Sequence, residues 1–155
     1  MTIFSRIPFM LIALVAIVSL LLTACSTPKD LENGTEIWTF ELKKGGCMDV
    51  CVSYTISIES DGNYTYKGYF NVKHVGDKSG KIPKNELKVI QDKLASIDWE
   101  SLDAEYGNPA SNPPRKEINY ASGTEKKTIV YSRLEPQEIR ELEKIIDQLI
   151  DSDDL

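Results

Sequence analysis

Two cysteines separated by three residues form the part of this sequence most able to carry chemistry. Cys47 and Cys51 enclose Met48-Asp49-Val50 and follow Gly45-Gly46. Outside the cytoplasm such a pair normally oxidises to a disulfide. An extended chain would hold the two α-carbons about 13 Å apart, whereas a disulfide needs less than about 7 Å. If the cysteines pair, the segment is therefore a turn, and the bond is a modest clamp because the ring is small.

Two other kinds of chemistry stay open for the same segment. Redox-active pairs normally have the spacing Cys-x-x-Cys within a βαβ unit, and this spacing differs. Cys47, Met48 and Cys51 are also soft ligands of the kind that Cu(I) prefers, and His74, the only histidine, could join them. His74 shares the parity of the apolar residues before it, so a packed or edge histidine is the other interpretation. A redox or copper-handling protein is thus the alternative to a structural disulfide.

No set of residues in this sequence has the pattern of a catalytic site. Paired carboxylates can cleave glycosidic bonds, but acid-rich loops usually face water. One histidine excludes most zinc hydrolase patterns, and no serine stands in a Gly-x-Ser-x-Gly context. Because nucleophile, base and orienting group are not jointly identifiable, we expect neither an enzyme nor a cofactor. The residues considered are Asp98, Glu100, Asp103 and Glu105 among the acids and Ser79, Ser96 and Ser101 among the serines.

The third cysteine, Cys25, closes an apolar run from Ile7 to Ala24 that follows Arg6. A basic start, an apolar middle and small residues before the cut are typical of a secretory signal. Leu22-Thr23-Ala24-Cys25 resembles the lipobox of bacterial lipoproteins. The resemblance implies that the Cys25 thiol takes a diacylglyceryl group and that its amine, once freed, takes a further acyl chain such as palmitate. Two or three acyl chains on one residue give stable anchoring.

The signal sequence predicts where the rest of the chain works. An uncleaved membrane helix is the alternative, since about 17 to 25 apolar residues span a bilayer. Both interpretations place the remainder outside the cytoplasm. We expect a signal peptide over residues 1–24, a short polar tether over 25–34, and a lipid-anchored protein of the bacterial cell envelope on the non-cytoplasmic side of a membrane.

The length and charge of the mature chain limit its possible domain number and partners. The length suits one domain with its own core. Removing residues 1–24 takes away one positive residue, Arg6, and changes the formal net charge of -6 to -7. An acidic surface repels nucleic acid and anionic head groups. We therefore expect membrane attachment through the lipid on Cys25 and no nucleic-acid partner.

Alternation of apolar and polar residues predicts strands in two groups. Asp61-Gly62 indicates a hairpin, Gly68 a bulge or close-packing point, and Gly76–Gly80 a second turn. Tyr64, Tyr66, Phe70 and Val72 share one parity. The predicted strands are Glu36–Lys43, Val52–Glu59, Tyr64–Val72, Glu117–Tyr120 and Lys127–Tyr131.

Helical periodicity begins twice at a proline, which suits the first turn of a helix. The first helix is predicted over Pro83–Ile97, and the last from Leu134-Glu135-Pro136 to Ile150, with a hydrophobic staple between Leu134 and Ile139. Between them Asp98–Pro114 reads as mostly irregular. Residues 151–155 read as an acidic disordered tail.

Strands joined by hairpins with separate helices are typical of the α+β class. We expect a single α+β domain over residues 35–150. Its antiparallel sheet of about five strands carries two helices on one face, in the order β-β-β-α-β-β-α.

The motifs then suggest a family. Gly46-Cys47-Met48-Asp49-Val50-Cys51, Tyr54, Asp61-Gly62 and Tyr66-Lys67-Gly68 resemble the opening of a bacterial domain-of-unknown-function family, number 6438. The likeness covers about Thr35 to Ile150 and departs at Val52, where the family usually has proline. It implies an envelope domain often carried by lipoproteins. No activity comes with it, and no catalytic residue is carried over.

Function is expected to be binding. A small tethered domain without a reactive cluster favours a non-enzymatic binding or accessory lipoprotein. It would present a sheet edge, the cysteine turn or the Asp98–Pro114 loop to another envelope protein. The alternative is a redox or copper-handling lipoprotein that uses Cys47 and Cys51.

Overall fold

A computed structural model describes residues 37–46, 51–108 and 114–152. Thr35–Leu155 form one compact unit. The strands are β1 (Trp38–Gly45), β2 (Ser53–Glu59), β3 (Asn63–Phe70), β4 (Gly76–Lys81), β5 (Glu105–Tyr106), β6 (Arg115–Ser122) and β7 (Glu125–Tyr131), and the helices are α1 (Lys84–Ser96) and α2 (Gln137–Asp151).

The described strands form one sheet of seven in the order β4-β3-β2-β1-β6-β7-β5. Neighbours are antiparallel except β5, which lies parallel to β7. The predicted mixed α+β architecture with two helices is confirmed. The sheet has seven strands where about five were predicted. The predicted order fits in part, because β4 and β5 are two further strands inserted into it.

Tertiary pairing explains both missed strands. Glycine and charge give Gly76–Lys81 the composition of a turn, yet it pairs with β3 along its whole length. Nearly every residue of β4 is exposed, so no apolar alternation marks it in the sequence. Glu105–Tyr106 lies within the segment predicted to be irregular, and it becomes a strand only by pairing with the edge of β7.

One face of the sheet carries the core. Trp38, Phe40 and Leu42 of β1 alternate with exposed or half-buried residues, as period two requires. They pack with the buried faces of the other strands and both helices in a single cluster. Trp99, just after α1, stacks on Tyr120 with ring centroids 4.2 Å apart. Both helices therefore cover the same face, and the opposite face is left to polar residues.

Each helix begins after the proline that the sequence singled out. Pro83 and Pro136 are the N-cap residues, and the helix bounds lie close to the predicted ones. The predicted staple from Leu134 to Ile139 is wrong. Leu134 is 79 % exposed and adopts a positive φ of 67°, which turns its side chain out of the core, while Ile139 is fully buried.

Two further observations concern the ends of elements. Asp151, placed in the acidic tail by the sequence, is the last residue of α2, and residues 153–155 lie outside the described part of the chain. Within the described ranges, neither helix has the length and apolar character needed to cross a bilayer.

Gly68 lies next to a β-bulge and is also a close-packing point, the two alternatives that the sequence predicted for it. The β2–β3 register shifts between Ser53 and Tyr54, whose partners are Phe70 and Gly68, so Tyr69 is an extra residue on β3. A Cβ on Gly68 would lie 2.0 Å from the His74 carbonyl oxygen. The glycine therefore allows the loop after β3 to pass directly over the strand.

We expect Gly68→Ala to lower the free energy of unfolding by about 1–3 kcal/mol, because the added methyl group meets backbone that has no room to move. Gly45→Ala is the matched control. Its Cβ would approach only the rotatable Ser53 hydroxyl, at 3.0 Å. Urea denaturation of the mature chain measures both, and equal losses would contradict the role given to the close approach at Gly68.

Candidate functional site

We call the end of the sheet at which β1 ends at Gly45 and β2 begins at Ser53 the cysteine end. The Asn71 side-chain amide donates a hydrogen bond of 3.4 Å to the Cys51 carbonyl oxygen, which ties the loop after β3 to the cysteine end. Cys25, Cys47 and Met48 lie outside the described residues. The lipidated cysteine, the disulfide and the copper ligands therefore stay predictions.

His74 lies on the loop after β3. Its backbone carbonyl accepts a hydrogen bond of 2.9 Å from the Tyr66 hydroxyl, so the residue helps to fold the loop onto the strand. Among residues 37–46, 51–108 and 114–152, no group of three or more His, Cys, Asp or Glu side chains is arranged to hold a metal.

Four apolar side chains are exposed together at the cysteine end, and we call them the apolar tip. They are Val52, Tyr69, Phe70 and Val75, with exposed fractions of 44 %, 41 %, 70 % and 73 %. The strand pairing brings them to the same end of neighbouring strands, since Ser53 pairs with Phe70 and Gly68 pairs with Gly76. The apolar tip spans the ends of β2, β3 and β4.

The bulge explains why Phe70 points outward. The shared parity of Tyr64, Tyr66 and Phe70 predicts one buried face, and Tyr64 and Tyr66 are indeed buried. The extra residue at Tyr69 reverses the alternation, so the prediction fails for Phe70. Asn71 then adopts a left-handed φ of 52° and turns the chain. Only Val72 returns to pack on the core.

Beside the apolar tip lies a group of buried charges, which we call the lysine network. Lys44 and Lys116 face the helix side of neighbouring strands and are cross-strand partners. Lys44 Nζ lies 2.6 Å from Glu143 Oε1 and 2.7 Å from Asp147 Oδ2. Lys116 Nζ lies 2.9 Å from Glu143 Oε1. Two strands are thereby joined to successive turns of α2.

Two tyrosines complete the lysine network. The Tyr54 hydroxyl donates to Asp147 Oδ1 at 2.6 Å, and the Tyr131 hydroxyl donates to Glu143 Oε2 at 3.0 Å. Burial, reinforced by the neighbouring carboxylates, raises the pKa of both tyrosines far above the ordinary range. They remain protonated donors, so the network stabilises the fold and offers no nucleophile.

Burial by itself would raise the pKa of Glu143, but the charges and hydrogen bonds of Lys44 and Lys116 outweigh it and hold that pKa below its ordinary value. The carboxylate is therefore ionised at neutral pH. The lysine network was not among the features predicted from the sequence. A signal was present, because Lys44 continues the inward parity of Trp38, Phe40 and Leu42 and a lysine on that face requires a buried partner.

The helix-free face of the sheet is a second possible surface. Asn119 donates to Glu41 at 2.9 Å and accepts from Thr128 at 2.8 Å, and Ser57 donates to Glu41 at 3.3 Å. Lys43 lies 2.8 Å from Glu41. Burial by itself would raise the pKa of Glu41, but the hydrogen bonds from Lys43 and Asn119 outweigh burial and hold that pKa below its ordinary value.

Two shallow clefts of about 470 and 430 Å³ lie on this face, and they are lined chiefly by Thr, Ser, Lys and acidic residues. The polar side chains of the second cleft that bond to one another across the strands are Glu41, Ser57, Asn119 and Thr128.

The acidic residues of the loop after α1 do not converge on a site. Trp99 and Leu102 hold the loop to the core, while Asp98, Glu100 and Asp103 stay exposed. The Ser96 and Ser101 hydroxyls donate to nearby backbone carbonyls at 2.7 and 2.9 Å. Neither serine is placed as a nucleophile.

One sheet with two helices on a single face defines the class: a small α+β domain whose exposed apolar surface is concentrated at one end. A family model described as a domain of unknown function, DUF6438, matches residues 39–150. The chain therefore belongs to this family. No curated protein matches the chain.

We expect Glu143→Gln to lower the free energy of unfolding by about 3 kcal/mol, because two buried ammonium groups lose their shared counter-charge. Glu141→Gln is the control on the same helix. Its partner interaction, with Lys93 at 2.7 Å, involves a half-exposed carboxylate, so little change is expected. Thermal or urea unfolding measures both variants. Equal losses of unfolding free energy in the two variants would contradict the importance given to the burial of Glu143.

Stability should also depend on Glu143 ionisation. Its pKa is lowered in the folded state, so its contribution is complete above the unfolded value of about 4.3 and is lost as the pH falls through the folded value. Urea titrations from pH 7 to pH 2.5 should show a shallower acid loss for Glu143→Gln than for the unaltered chain. Parallel curves would contradict this assignment.

Proposed function

We propose that the chain is a lipid-anchored protein of the bacterial cell envelope with a non-enzymatic binding or accessory role. It contacts another envelope protein through the apolar tip. The lipobox-like sequence at Cys25 supports the anchor. The binding role is supported by the exposed side chains of the apolar tip.

Three surfaces were open to a partner on sequence grounds, and the structure favours one. The outer edge of β4 carries Asp77, Lys78 and Lys81, and charges on an edge strand discourage strand addition. The loop from Asp98 is fixed in its first half by Trp99 and by pairing of β5. The cysteine end alone of these three gathers exposed apolar side chains.

The apolar tip is the observation that carries the proposal. Clustered exposed apolar groups mark interaction sites, whereas single ones are ordinary. Elsewhere in the described chain, the large exposed apolar side chains Ile37, Val89 and Leu134 are scattered. Aromatic anchors such as Phe70 and Tyr69 contribute most to protein interfaces because they bury much area with few rotatable bonds.

A disulfide between Cys47 and Cys51 belongs to the proposal. Its support is the short spacing of the two cysteines in a chain proposed to lie outside the cytoplasm, where such a pair normally oxidises. The ring is small, so the bond would be a modest local clamp.

Redox and Cu(I) titrations of the purified mature chain separate this role from the copper-handling alternative. We expect a disulfide potential below about -300 mV, which is typical of a structural bond. Stoichiometric Cu(I) binding by the reduced chain, lost in His74→Ala but kept in a control such as Lys81→Ala, would instead favour metal handling.

Photo-crosslinking in living cells tests the binding role. A benzophenone amino acid at Val75 should give a discrete, protease-sensitive product, whereas the same group at Val89, exposed on α1, should not. Phe70→Ser should reduce the Val75 product by at least about tenfold, as loss of an interface anchor of 1.4 kcal/mol or more does. Leu134→Ser is the matched control.

Identical products from positions 75 and 89, or a Val75 product unaffected by Phe70→Ser, would overturn the proposal.

A further inference from the structure

We infer that Tyr66, Asn71 and Lys73 are positioning residues for the apolar tip, because their side chains hold the loop between β3 and β4 in place before a partner binds. This inference rests on the proposed function and concerns how the same surface is prepared for binding. We call the loop, residues 71–75, the strap. It follows Phe70 directly and ends with Val75, so its position decides where these two members of the apolar tip are presented.

The first attachment joins the strap to β3. The buried Tyr66 donates its hydroxyl hydrogen bond of 2.9 Å to the His74 carbonyl oxygen. A Cβ on Gly68 would lie 2.0 Å from that carbonyl oxygen and 2.6 Å from the Tyr66 hydroxyl oxygen. A phenol and a glycine on one strand therefore receive the same carbonyl group of the strap.

The second attachment joins the strap to the beginning of β2. Asn71 adopts a left-handed φ of 52°, which asparagine tolerates better than most residues. Its side-chain amide donates to the Cys51 carbonyl oxygen at 3.4 Å. One side chain thus allows the chain to turn after Phe70 and also links the strap to the residue before Val52.

The third attachment joins the strap to the helix layer. Lys73 Nζ donates a hydrogen bond of 2.9 Å to the backbone carbonyl of Asp151, the last residue of α2. The last carbonyls of a helix lack intrahelical partners, and a cation there is favourable. The last turn of α2 has no basic residue of its own. Lys73 therefore supplies this interaction from the strap.

The contacts of the strap exceed what the fold requires of it. Val72 packs on the core, so four of the five strap residues are held by a contact, while Val75 is 73 % exposed. Short loops of this length connect antiparallel strands without such attachments. The attachments order the chain where apolar side chains face water. A surface that is ordered in advance loses less conformational entropy when a partner binds.

Removal of single groups tests the inference in the full-length, membrane-bound protein. Tyr66→Phe removes only the hydroxyl that holds His74. It should lower the yield of the Val75 crosslinked product about two- to tenfold, as loss of one hydrogen bond lowers the population of the binding-competent form. Tyr64→Phe is the matched control, because Tyr64 is also buried on β3 and its hydroxyl makes none of the strap contacts. Its yield should not change.

The other two attachments have their own variants. Asn71→Asp keeps a residue that tolerates the left-handed turn but cannot donate to the Cys51 carbonyl, and we expect a two- to tenfold loss of the Val75 product. Lys73→Met should give a smaller loss, about two- to threefold, because its contact is exposed. Lys73→Arg keeps a donor and should restore the yield, and Lys81→Met on β4 is the matched control.

Amide hydrogen exchange gives a measurement that does not depend on a partner. In the detergent-solubilised full-length protein, Tyr66→Phe should speed exchange in peptides that cover the strap and leave α1 and β6 unchanged. Exchange that rises equally throughout the domain would show that Tyr66 only stabilises the fold. Exchange in the strap that does not change would show that the Tyr66 hydroxyl does not hold it. Either result would overturn the inference.

Failure of the inference and failure of the proposed function give different results. A Val75 product that requires Phe70 but is unaffected by Tyr66→Phe and Asn71→Asp would leave the proposed function standing and overturn the positioning role. Absence of any Phe70-dependent product from the unaltered strap would overturn the proposed function, and the inference with it, even if the strap variants speed exchange.

Discussion

Two lysines on the buried face of the sheet impose the constraint on which the arrangement of the cysteine end depends. A buried ammonium group is stable only beside a counter-charge. Lys44 and Lys116 are cross-strand neighbours, and α2 supplies Glu143 and Asp147 one turn apart to meet them. This fixes the position of α2 along the sheet and holds the ends of β1 and β6 in register beneath it.

Irregular backbone lies next to the cysteine end that the lysine network holds in place. The bulge at Tyr69, the left-handed Asn71 and the close passage of the loop over Gly68 all lie within a few residues of one another. Together they turn Phe70 and Val75 out of the fold. A rigid base with exposed aromatic and aliphatic groups suits recognition, because little order has to be gained on binding.

Sequence patterns predicted the parts of the fold in which local periodicity and burial agree. The three inward residues of β1, the hairpin at Asp61-Gly62 and both proline-started helices follow from alternation or helical spacing. The patterns failed where a neighbouring strand decides the structure. β4 has no inward apolar set, and Phe70 kept its parity in the sequence but lost it in the sheet because one extra residue intervened.

The sequence alone determined the α+β class, the one-sided core and the family, because each depends on residue type and spacing along the chain. Tertiary structure decided the lysine network and the apolar tip. These features join residues far apart in the chain, such as Lys44 with Asp147. Their energies arise only when strand register and helix position bring those groups within a few ångströms.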